Sequence, residues 1–376
     1  MNLFQRCFGL GLCIVSSVIA NLEDIRDNPL TCKRAVECSW LSALVYRIID
    51  NVTTLEPKQF EVSPSFAEYQ YENNTWIDDG STEVLINRKA NTIGGIPVRK
   101  TKCAIPLLLY ILNLQLIYIT FIQKYCRVVT FRGSEESLDW AVNFDQFQVP
   151  YGPPDFPIID YKVVMPGGSS QQSSSVKEID VMIHRGFSTS LKLYSQILSL
   201  LEELDNEECK DLYIQGHSLG GANAQTFSTY YAFHHPNTKV YLTSYGSPRM
   251  GNLGYKYFSE GIQNLNQYRV VNTVDIIPTI PYDDFHHAGH LCWRYNDTDP
   301  SSGEYINTLV TKIYYRQIGN SQFGYKGVKD FSISRLQGLD TENRADVITP
   351  HFMTTIKQWL ENDCASNNFP MGFETV

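Results

Sequence analysis

A serine in a glycine-rich turn is the first residue of this sequence whose surroundings indicate chemistry. Ser218 lies between Gly216 and Gly220 in a Gly-x-Ser-x-Gly pattern. The apolar run at residues 212–214 predicts a strand before it, and small residues predict a helix over 222–232. A serine on a sharp turn between a strand and a helix is a nucleophile elbow. The pattern therefore predicts a nucleophilic serine at a helix N-terminus, and a purely structural glycine turn is the alternative.

Such a serine needs a base that accepts its proton and an acid that orients the base. In proteins built around this elbow, the acid and then the histidine follow the serine along the chain. Asp275 comes at the end of an apolar strand predicted at residues 268–274. Asp283 and Asp284 are alternatives, but they lie in a Pro-Tyr turn that favours solvent exposure. Asp275 is therefore the predicted acid.

Four histidines follow the predicted acid and are candidates for the base. They are His286, His287, His290 and His351. The first three lie close to the acid, where structural roles are the alternative, whereas His351 lies in a late loop before a helix predicted at residues 352–360. Chain order favours His351. The His-His-Ala-Gly-His cluster also suggests a metal site. No cysteine or carboxylate completes a ligand set at suitable spacing, so no metal is expected.

Reaction at the serine would require two backbone amides that bind a developing oxyanion. One is the amide that follows the nucleophile, at Leu219, and the other should come from a loop after an earlier strand. The stretch Arg-Val-Val-Thr-Phe at residues 127–131 predicts such a strand, and Gly133 and Ser134 follow it. Ser134 is therefore the predicted second donor.

Composition limits the class of protein. The chain has 376 residues, 43% of them hydrophobic, which suits one large domain. It carries 40 acidic and 31 basic residues, for a net charge of -9, and has no basic run. Nucleic acid is therefore not an expected partner. The alternation of predicted strands and helices indicates an α/β fold with a mostly parallel sheet.

The N-terminus resembles a secretory signal peptide. Arg6 provides a positive start, residues 7–19 are apolar, and Ala20 ends a small-residue cleavage pattern. The sequence therefore predicts a signal peptide at residues 1–20 and an exported single domain at residues 21–376. Retention in the lumen of the secretory pathway or anchoring in a membrane is the alternative, although the apolar run is short for a span.

Export would also govern the covalent chemistry of the chain. Of the nine cysteines, Cys7 and Cys13 would leave with the signal peptide, and the odd remainder predicts disulfides with one thiol left over. Three sequons predict glycosylation if the chain enters the secretory pathway. They are at Asn51, Asn73 and Asn296.

Residues 104–122 form an apolar block that contains no charged residue. Its length approaches that of a membrane span, but Asn113 and Gln115 lie within it and Pro106 near its start. Three interpretations stay open. The block is a buried or membrane-contacting hairpin or helix, a true span, or an insertion that the fold does not need, such as translated intron sequence.

Several short stretches together resemble the secreted fungal class 3 lipases of the Rhizomucor type. The resemblance runs over roughly residues 30 to 364. The stretches that carry it are Phe131-Arg132-Gly133-Ser134, Ile183-His184-Arg185-Gly186-Phe187, Gly216-His217-Ser218-Leu219-Gly220-Gly221, Gly246-Ser247-Pro248-Arg249-Met250-Gly251-Asn252, Asp275-Ile276-Ile277-Pro278 and His287-Ala288-Gly289.

The resemblance implies an α/β-hydrolase fold, with a mostly parallel central sheet flanked by helices and a short lid helix. It implies that Ser218, Asp275 and His351 form a catalytic triad, and that the oxyanion is bound by Ser134 and Leu219. No metal or organic cofactor is implied.

Two further features follow from the resemblance. Residues 135–147 have the pattern of a short amphipathic helix, and the resemblance makes this helix a lid, with Leu138, Trp140 and Phe144 covering the serine in water and turning toward lipid at an interface. An ordinary surface helix is the alternative. The resemblance also assigns structural roles to His217 and to His287.

The resemblance further implies a disulfide between Cys364 and the N-terminal helix region, through Cys32 or Cys38. The apolar block at residues 104–122 departs from the pattern, which runs directly into the oxyanion strand.

The predicted activity is hydrolysis of carboxylic esters, most simply of triacylglycerols, at a lipid–water interface, with transient contact to a membrane or lipid-droplet surface. Feruloyl esters and phospholipids are alternative substrates within the same family. A lipid-binding relative without activity and a serine peptidase are the alternatives from other classes.

Overall fold

The structure of the protein is a computed structural model. It describes residues 24–50, 86–88, 91–93, 107–111, 116–123, 126–133, 147–153, 156–164, 178–188, 191, 194–203, 211–273, 275–281, 284–298, 305–314 and 349–374.

Fifteen strands are formed by these residues. They are β1 (Ile86–Arg88), β2 (Asn91–Ile93), β3 (Leu107–Ile111), β4 (Leu116–Gln123), β5 (Cys126–Phe131), β6 (Gln148–Pro150), β7 (Lys162–Val164), β8 (Glu178–Asp180), β9 (Met182–His184), β10 (Asp211–His217), β11 (Val240–Tyr245), β12 (Leu265–Asn272), β13 (His290–Thr298), β14 (Tyr305–Tyr314) and β15 (Phe373–Glu374). Nine of them make one sheet in the order β15-β14-β13-β12-β11-β10-β5-β4-β3. The pairs β1-β2, β6-β9 and β7-β8 are separate two-stranded ribbons.

The centre of the large sheet is parallel. Strands β5, β10, β11, β12 and β13 lie side by side in this order, and each adjacent pair among them is parallel. All eight residues of β12 are buried, as expected for a strand covered by helices on both faces. Because these strands point the same way, the loops that follow them meet at one edge of the sheet. This edge receives the residues that the sequence singles out.

The apolar block at residues 104–122 contributes to a β-hairpin on the sheet. Strand β3 pairs antiparallel with β4, with Leu107 opposite Thr120, and β4 pairs antiparallel with β5, with Tyr118 opposite Phe131. The described part of the block is therefore strand and not helix, and residues 112–115 between the two strands are not among the described residues. In the described part of the chain, none of the helices combines the length and the apolar character that crossing a membrane requires.

Six helices accompany the strands in the described residues. They are α1 (Cys32–Asp50), α2 (Arg185–Ser188), α3 (Tyr194–Glu203), α4 (Leu219–His234), α5 (Leu253–Gly261) and α6 (Met353–Ala365). Alternate residues of β11 face opposite sides of the sheet: Val240 and Leu242 join the core beneath α4, whereas Tyr245 joins the core beneath α1 and α6. The domain therefore has helices on both faces of its sheet.

Helices α1 and α6 are joined covalently. Cys32 and Cys364 form a disulfide, with their Cα atoms 5.7 Å apart. The predicted link from the N-terminal helix to Cys364 is confirmed, with Cys32 as the partner, while Cys38 is a buried free thiol. Trp40 donates to Glu361 at 2.5 Å across the same interface, and Lys357 lies 3.5 Å from the centre of the Trp40 ring.

A short helix follows strand β9 directly, because residues Arg185–Ser188 form α2. The His184 ring supports its first turn: the Nδ1 accepts a hydrogen bond from the Gly186 amide at 3.0 Å and so satisfies a free donor there. Phe187 is buried in the core beneath α4.

Several predictions concern residues outside the described ones. These are the signal peptide at residues 1–20, the sequons at Asn51 and Asn73, the oxyanion residue Ser134, and the lid residues Leu138, Trp140 and Phe144. The third sequon residue, Asn296, lies in β13.

Candidate active site

Ser218 lies at the turn between β10 and α4. Its φ of 57° and ψ of -128° place it in a region that non-glycine residues rarely adopt. Its amide donates to the Tyr245 carbonyl at 2.9 Å, which fixes the turn to the neighbouring strand. The hydroxyl makes no capping bond to α4, although serine at this position often caps a helix. The backbone thus presents a hydroxyl that the helix does not use.

The turn is tight enough to require glycine on both sides of the serine. A Cβ on Gly216 would overlap the Gly220 carbonyl, and a Cβ on Gly220 would overlap the Phe131 carbonyl and lie 2.7 Å from the Arg132 carbonyl oxygen. The first turn of α4 therefore touches the end of β5 at backbone distance. This contact is the physical reason for the Gly-x-Ser-x-Gly pattern in this chain.

Asp275 and His351 form a buried pair at the same edge of the sheet. The Asp275 Oδ2 lies 2.8 Å from the His351 Nδ1, and the two side chains are 0% and 1% exposed. A carboxylate accepts, so Nδ1 carries the proton and Nε2 is left as the free nitrogen of the neutral ring. The other Asp275 oxygen, Oδ1, accepts from the Ile277 amide at 3.0 Å.

The loops that carry this pair are also joined to each other. Asp275 donates its own amide to the Asn272 carbonyl at 3.0 Å, which closes the turn after β12. The Asn272 side chain donates to the Pro350 carbonyl at 2.9 Å. His351 ends a 3₁₀ turn at Thr349–His351. The end of β12 therefore holds the turn that carries the histidine.

Two atoms of the site remain without a hydrogen-bond partner among the described residues. Both the Ser218 Oγ and the His351 Nε2 are buried and unpaired. Buried polar groups are nearly always paired, so an unpaired hydroxyl and an unpaired ring nitrogen at one site require an explanation. A reaction that transfers the hydroxyl proton to the ring nitrogen uses both atoms.

The other candidate histidines lie elsewhere. The His287 Nε2 donates to the Pro278 carbonyl at 2.7 Å, and the His290 Nε2 donates to the Arg26 carbonyl at 3.0 Å. The His286 Nδ1 has no partner in the described structure. Of the alternative acids, Asp284 is exposed and Asp283 is not among the described residues. Of the four candidates, His351 is the one whose ring contacts the Asp275 carboxylate in the described structure.

Of the two predicted oxyanion donors, Leu219 is among the described residues. Leu219 is the first residue of α4, so its amide has no acceptor within the helix, and the helix dipole favours negative charge there. Ser134 lies outside the described residues. The Phe131 and Arg132 backbone that leads to it packs on Gly220, so the chain enters this loop beside the elbow.

Sequence reasoning overlooked two residues that shape the site. Gly246 follows β11 with φ +55°, and a Cβ there would lie 2.7 Å from both the Asp275 Oδ2 and the His351 Nδ1. Asn272 joins the two loops as described above. Gly246 could have been noticed, because a glycine that closes a parallel strand beside the elbow lies at the edge where loops meet. Asn272 carries no signal in its local sequence.

Metal binding was not expected, and within the described ranges no cluster of three or more histidine, cysteine or acidic residues could hold a metal ion.

The parallel sheet with helices on both faces, the serine on a strained strand-to-helix turn and the buried Asp-His pair define the α/β-hydrolase class. Residues 128–285, which are less than half of the chain, match the family model for lipase (class 3). The matched segment contains Ser218 and Asp275 and ends before His351.

Three curated relatives are similar to parts of the chain. Toxin TseL of Vibrio cholerae is 39% identical over 102 residues, which are 26% of this chain and 15% of the toxin. Triacylglycerol lipase OBL1 of Arabidopsis thaliana is 29% identical over 201 residues, 45% of this chain and 37% of that lipase. Phospholipase A1-II 3 of Oryza sativa subsp. japonica is 29% identical over 169 residues, 41% of this chain and 38% of that phospholipase. The chain therefore spans well under half the length of each of them.

Gly246→Ala should disturb the acid–base pair directly. The added methyl would lie 2.7 Å from atoms of both Asp275 and His351, at a φ that alanine disfavours. Because misplacement by about 1 Å can cost ~10²-fold in rate, we expect kcat for p-nitrophenyl butyrate to fall by about that factor.

Gly261→Ala is the matched control, since a Cβ at Gly261 meets nothing within 4 Å. Its kcat should equal that of the wild type. An unchanged kcat in Gly246→Ala would show that the pair is not confined at this position.

A second prediction concerns acid stability. Burial lowers the pKa of His287 well below its ordinary value, and the charges of Arg269 and Arg249 act in the same direction. Below about pH 6.5 the unfolded chain binds a proton that the folded ring does not bind. The contribution of His287 to stability is therefore complete above that pH and is lost as the pH falls toward its folded pKa.

His287→Gln removes this titration and keeps a donor for the Pro278 carbonyl. Between pH 7 and pH 5 we expect the free energy of unfolding of the wild type to fall by about 1–2 kcal/mol more than that of the variant. Urea unfolding of both proteins at the two pH values measures the difference, and equal losses would contradict the assignment.

Proposed function

We propose that the protein is a serine ester hydrolase in which Ser218 is the nucleophile, His351 the general base and acid, and Asp275 the residue that orients His351. The observation that carries the proposal is the buried Asp275-His351 hydrogen bond of 2.8 Å, which leaves the His351 Nε2 free in the same site as the unpaired Ser218 Oγ. The position of the serine on the strained elbow supports the same roles.

In the proposed reaction, the Ser218 Oγ attacks the ester carbonyl while the His351 Nε2 takes its proton. The tetrahedral oxyanion is bound by the Leu219 amide and by Ser134. His351 then returns the proton to the alcohol that leaves, and an acyl-enzyme remains. A water molecule, deprotonated by the same nitrogen, releases the carboxylic acid and restores the serine. Asp275 stays ionised and stabilises the imidazolium in both halves.

Acylglycerols are the substrate class that we favour. The relative OBL1 of Arabidopsis thaliana is named as a triacylglycerol lipase, and the matching family model is that of class 3 lipases. The apolar residues predicted for the lid, Leu138, Trp140 and Phe144, would face a lipid surface when the site opens. The contact with a membrane or lipid droplet would then be transient. The chemistry requires no metal or organic cofactor.

Phospholipids are the second candidate substrates. Phospholipase A1-II 3 of rice and phospholipase A1-IIbeta of Arabidopsis thaliana match 41% and 52% of this chain, at 29% and 25% identity. The same nucleophile and base would cleave the sn-1 ester of a phospholipid, so the two candidates differ only in the alcohol that leaves.

Ser218→Ala should abolish ester hydrolysis. Without the hydroxyl no acyl-enzyme forms, and kcat for p-nitrophenyl butyrate should fall at least ~10⁴-fold. The matched control is Ser228→Ala in the same helix, because the buried Ser228 hydroxyl only donates to the Gln225 carbonyl at 3.1 Å. The control should keep full activity, and residual activity of Ser218→Ala at the wild-type level would refute the proposed nucleophile.

The substrate class is then determined from the rates of the wild-type protein on different substrates. Rates on tributyrin below and above its solubility limit test activation at an interface, and fatty acid release from triolein and from phosphatidylcholine vesicles separates the two candidates. Casein serves as the test for a peptidase. Cleavage of casein without cleavage of tributyrin would reject ester hydrolysis.

We further propose that residues 1–20 are removed on export and that residues 21–376 act as one domain. The disulfide between Cys32 and Cys364 supports an oxidising compartment. Protein recovered from the culture medium of expressing cells should begin at residue 21 and yield the disulfide-linked peptide pair in a non-reducing digest. Recovery only inside the cells, with an intact N-terminus, would contradict export.

A further inference from the structure

His217 contacts the candidate base from the residue next to the candidate nucleophile. Its Nε2 lies 2.6 Å from the His351 backbone carbonyl oxygen, and the two rings lie 4.5 Å apart between centroids with an interplanar angle of 36°. His217 is the last residue of β10 and is 5% exposed. One short strand end thus presents the serine and holds the segment that carries the histidine.

The direction of this hydrogen bond shows which nitrogen of the His217 ring carries a proton. A carbonyl only accepts, so the His217 Nε2 carries a proton. Burial lowers the pKa of His217 well below its ordinary value, and the charge of the His351 ring adds to this effect, while the hydrogen bond to the His351 carbonyl opposes it. The ring is therefore neutral at neutral pH. The His217 ring therefore adds no positive charge at ring-contact distance from His351.

The contact completes the set of constraints on His351. The Asp275 carboxylate accepts from the His351 Nδ1. The His217 ring donates to the His351 carbonyl, and the Asn272 side chain donates to the carbonyl of the preceding residue, Pro350. Without the bond from His217, the turn at Thr349–His351 would lose a direct hydrogen bond to the strand that ends at the elbow.

We propose that His217 is a positioning residue, which fixes His351 against the Ser218 elbow by a hydrogen bond to the His351 carbonyl and by ring contact. The inference rests on the proposed function, and it gives His217 a role beyond the structural one expected from the sequence. It predicts that kcat depends more on a hydrogen-bond donor at the position of the His217 Nε2 than on the imidazole ring itself.

The test compares variants that separate the donor from the ring. His217→Gln keeps an N–H donor at a similar reach, His217→Phe keeps a ring and removes the donor, and His217→Asn is polar but too short. The matched control is His290→Phe. His290 is also buried and also donates from Nε2 to a carbonyl, that of Arg26, but it lies at the amino end of β13, away from the edge that carries the serine.

With p-nitrophenyl butyrate as substrate, we expect kcat to fall about 10- to 100-fold in His217→Phe and in His217→Asn, with KM changed by less than about two-fold. His217→Gln should recover most of that loss. The control should keep kcat within about two-fold of the wild type even where its Tm is lower. A kcat at the wild-type level in both His217→Phe and His217→Asn, or equal losses in the Gln and Asn variants, would overturn the inference.

A second measurement does not depend on turnover. In protein with labelled histidine, NMR follows solvent exchange of the His351 Nδ1 proton, which Asp275 holds. If His217 positions His351, this proton should exchange at least about ten-fold faster in His217→Asn than in the wild type and in His217→Gln. Equal exchange in all three would overturn the inference. A wild-type protein that cleaves no ester would instead refute the proposed function, and the exchange rates would still decide the role of His217.

Discussion

A buried carboxylate and a buried imidazole, 2.8 Å apart, are the interaction on which the site depends. Asp275 and His351 are separated by 76 positions in the chain and both lie almost entirely out of solvent. Removing a carboxylate from water is costly unless it is paired and hydrogen-bonded. The Ile277 amide and the His351 ring both bind Asp275, so loss of either contact would leave a buried carboxylate less well compensated. The surrounding contacts act mainly to keep this pair in place.

The parallel centre of the sheet brings these contacts together. Strands β5, β10, β11 and β12 are neighbours in the sheet, and each delivers one part of the site from its carboxyl end. The end of β5 packs against the elbow, β10 ends in His217 before Ser218, Gly246 follows β11, and Asp275 follows β12. His351 is the exception, since it comes from a turn before α6. Its carbonyl accepts from His217 of β10 and its ring donates to Asp275, while Asn272 of β12 holds the preceding residue, Pro350.

The disulfide between the two ends of the described chain constrains the segment that carries His351. Helix α6 begins two residues after His351 and is joined to α1 by the bond between Cys32 and Cys364. The Tyr245 hydroxyl donates to the Ala35 carbonyl at 2.6 Å, so α1 is in turn tied to β11. A disulfide limits the freedom of the unfolded chain most when it closes a long loop, and here 332 positions separate the two cysteines. The helix behind the histidine is thereby anchored to the sheet.

Local sequence determined the elbow, the parallel α/β core and the choice of Asp275, because glycine spacing and apolar periodicity act over a few neighbouring residues. It favoured His351 among four candidate histidines, and it left several interpretations of residues 104–122 open. Only the tertiary structure decided that His351 reaches Asp275, that strands β3 and β4 form a hairpin on β5, and that His217 holds the His351 carbonyl. Each of these depends on strand order and on contacts between distant segments, which no local pattern encodes.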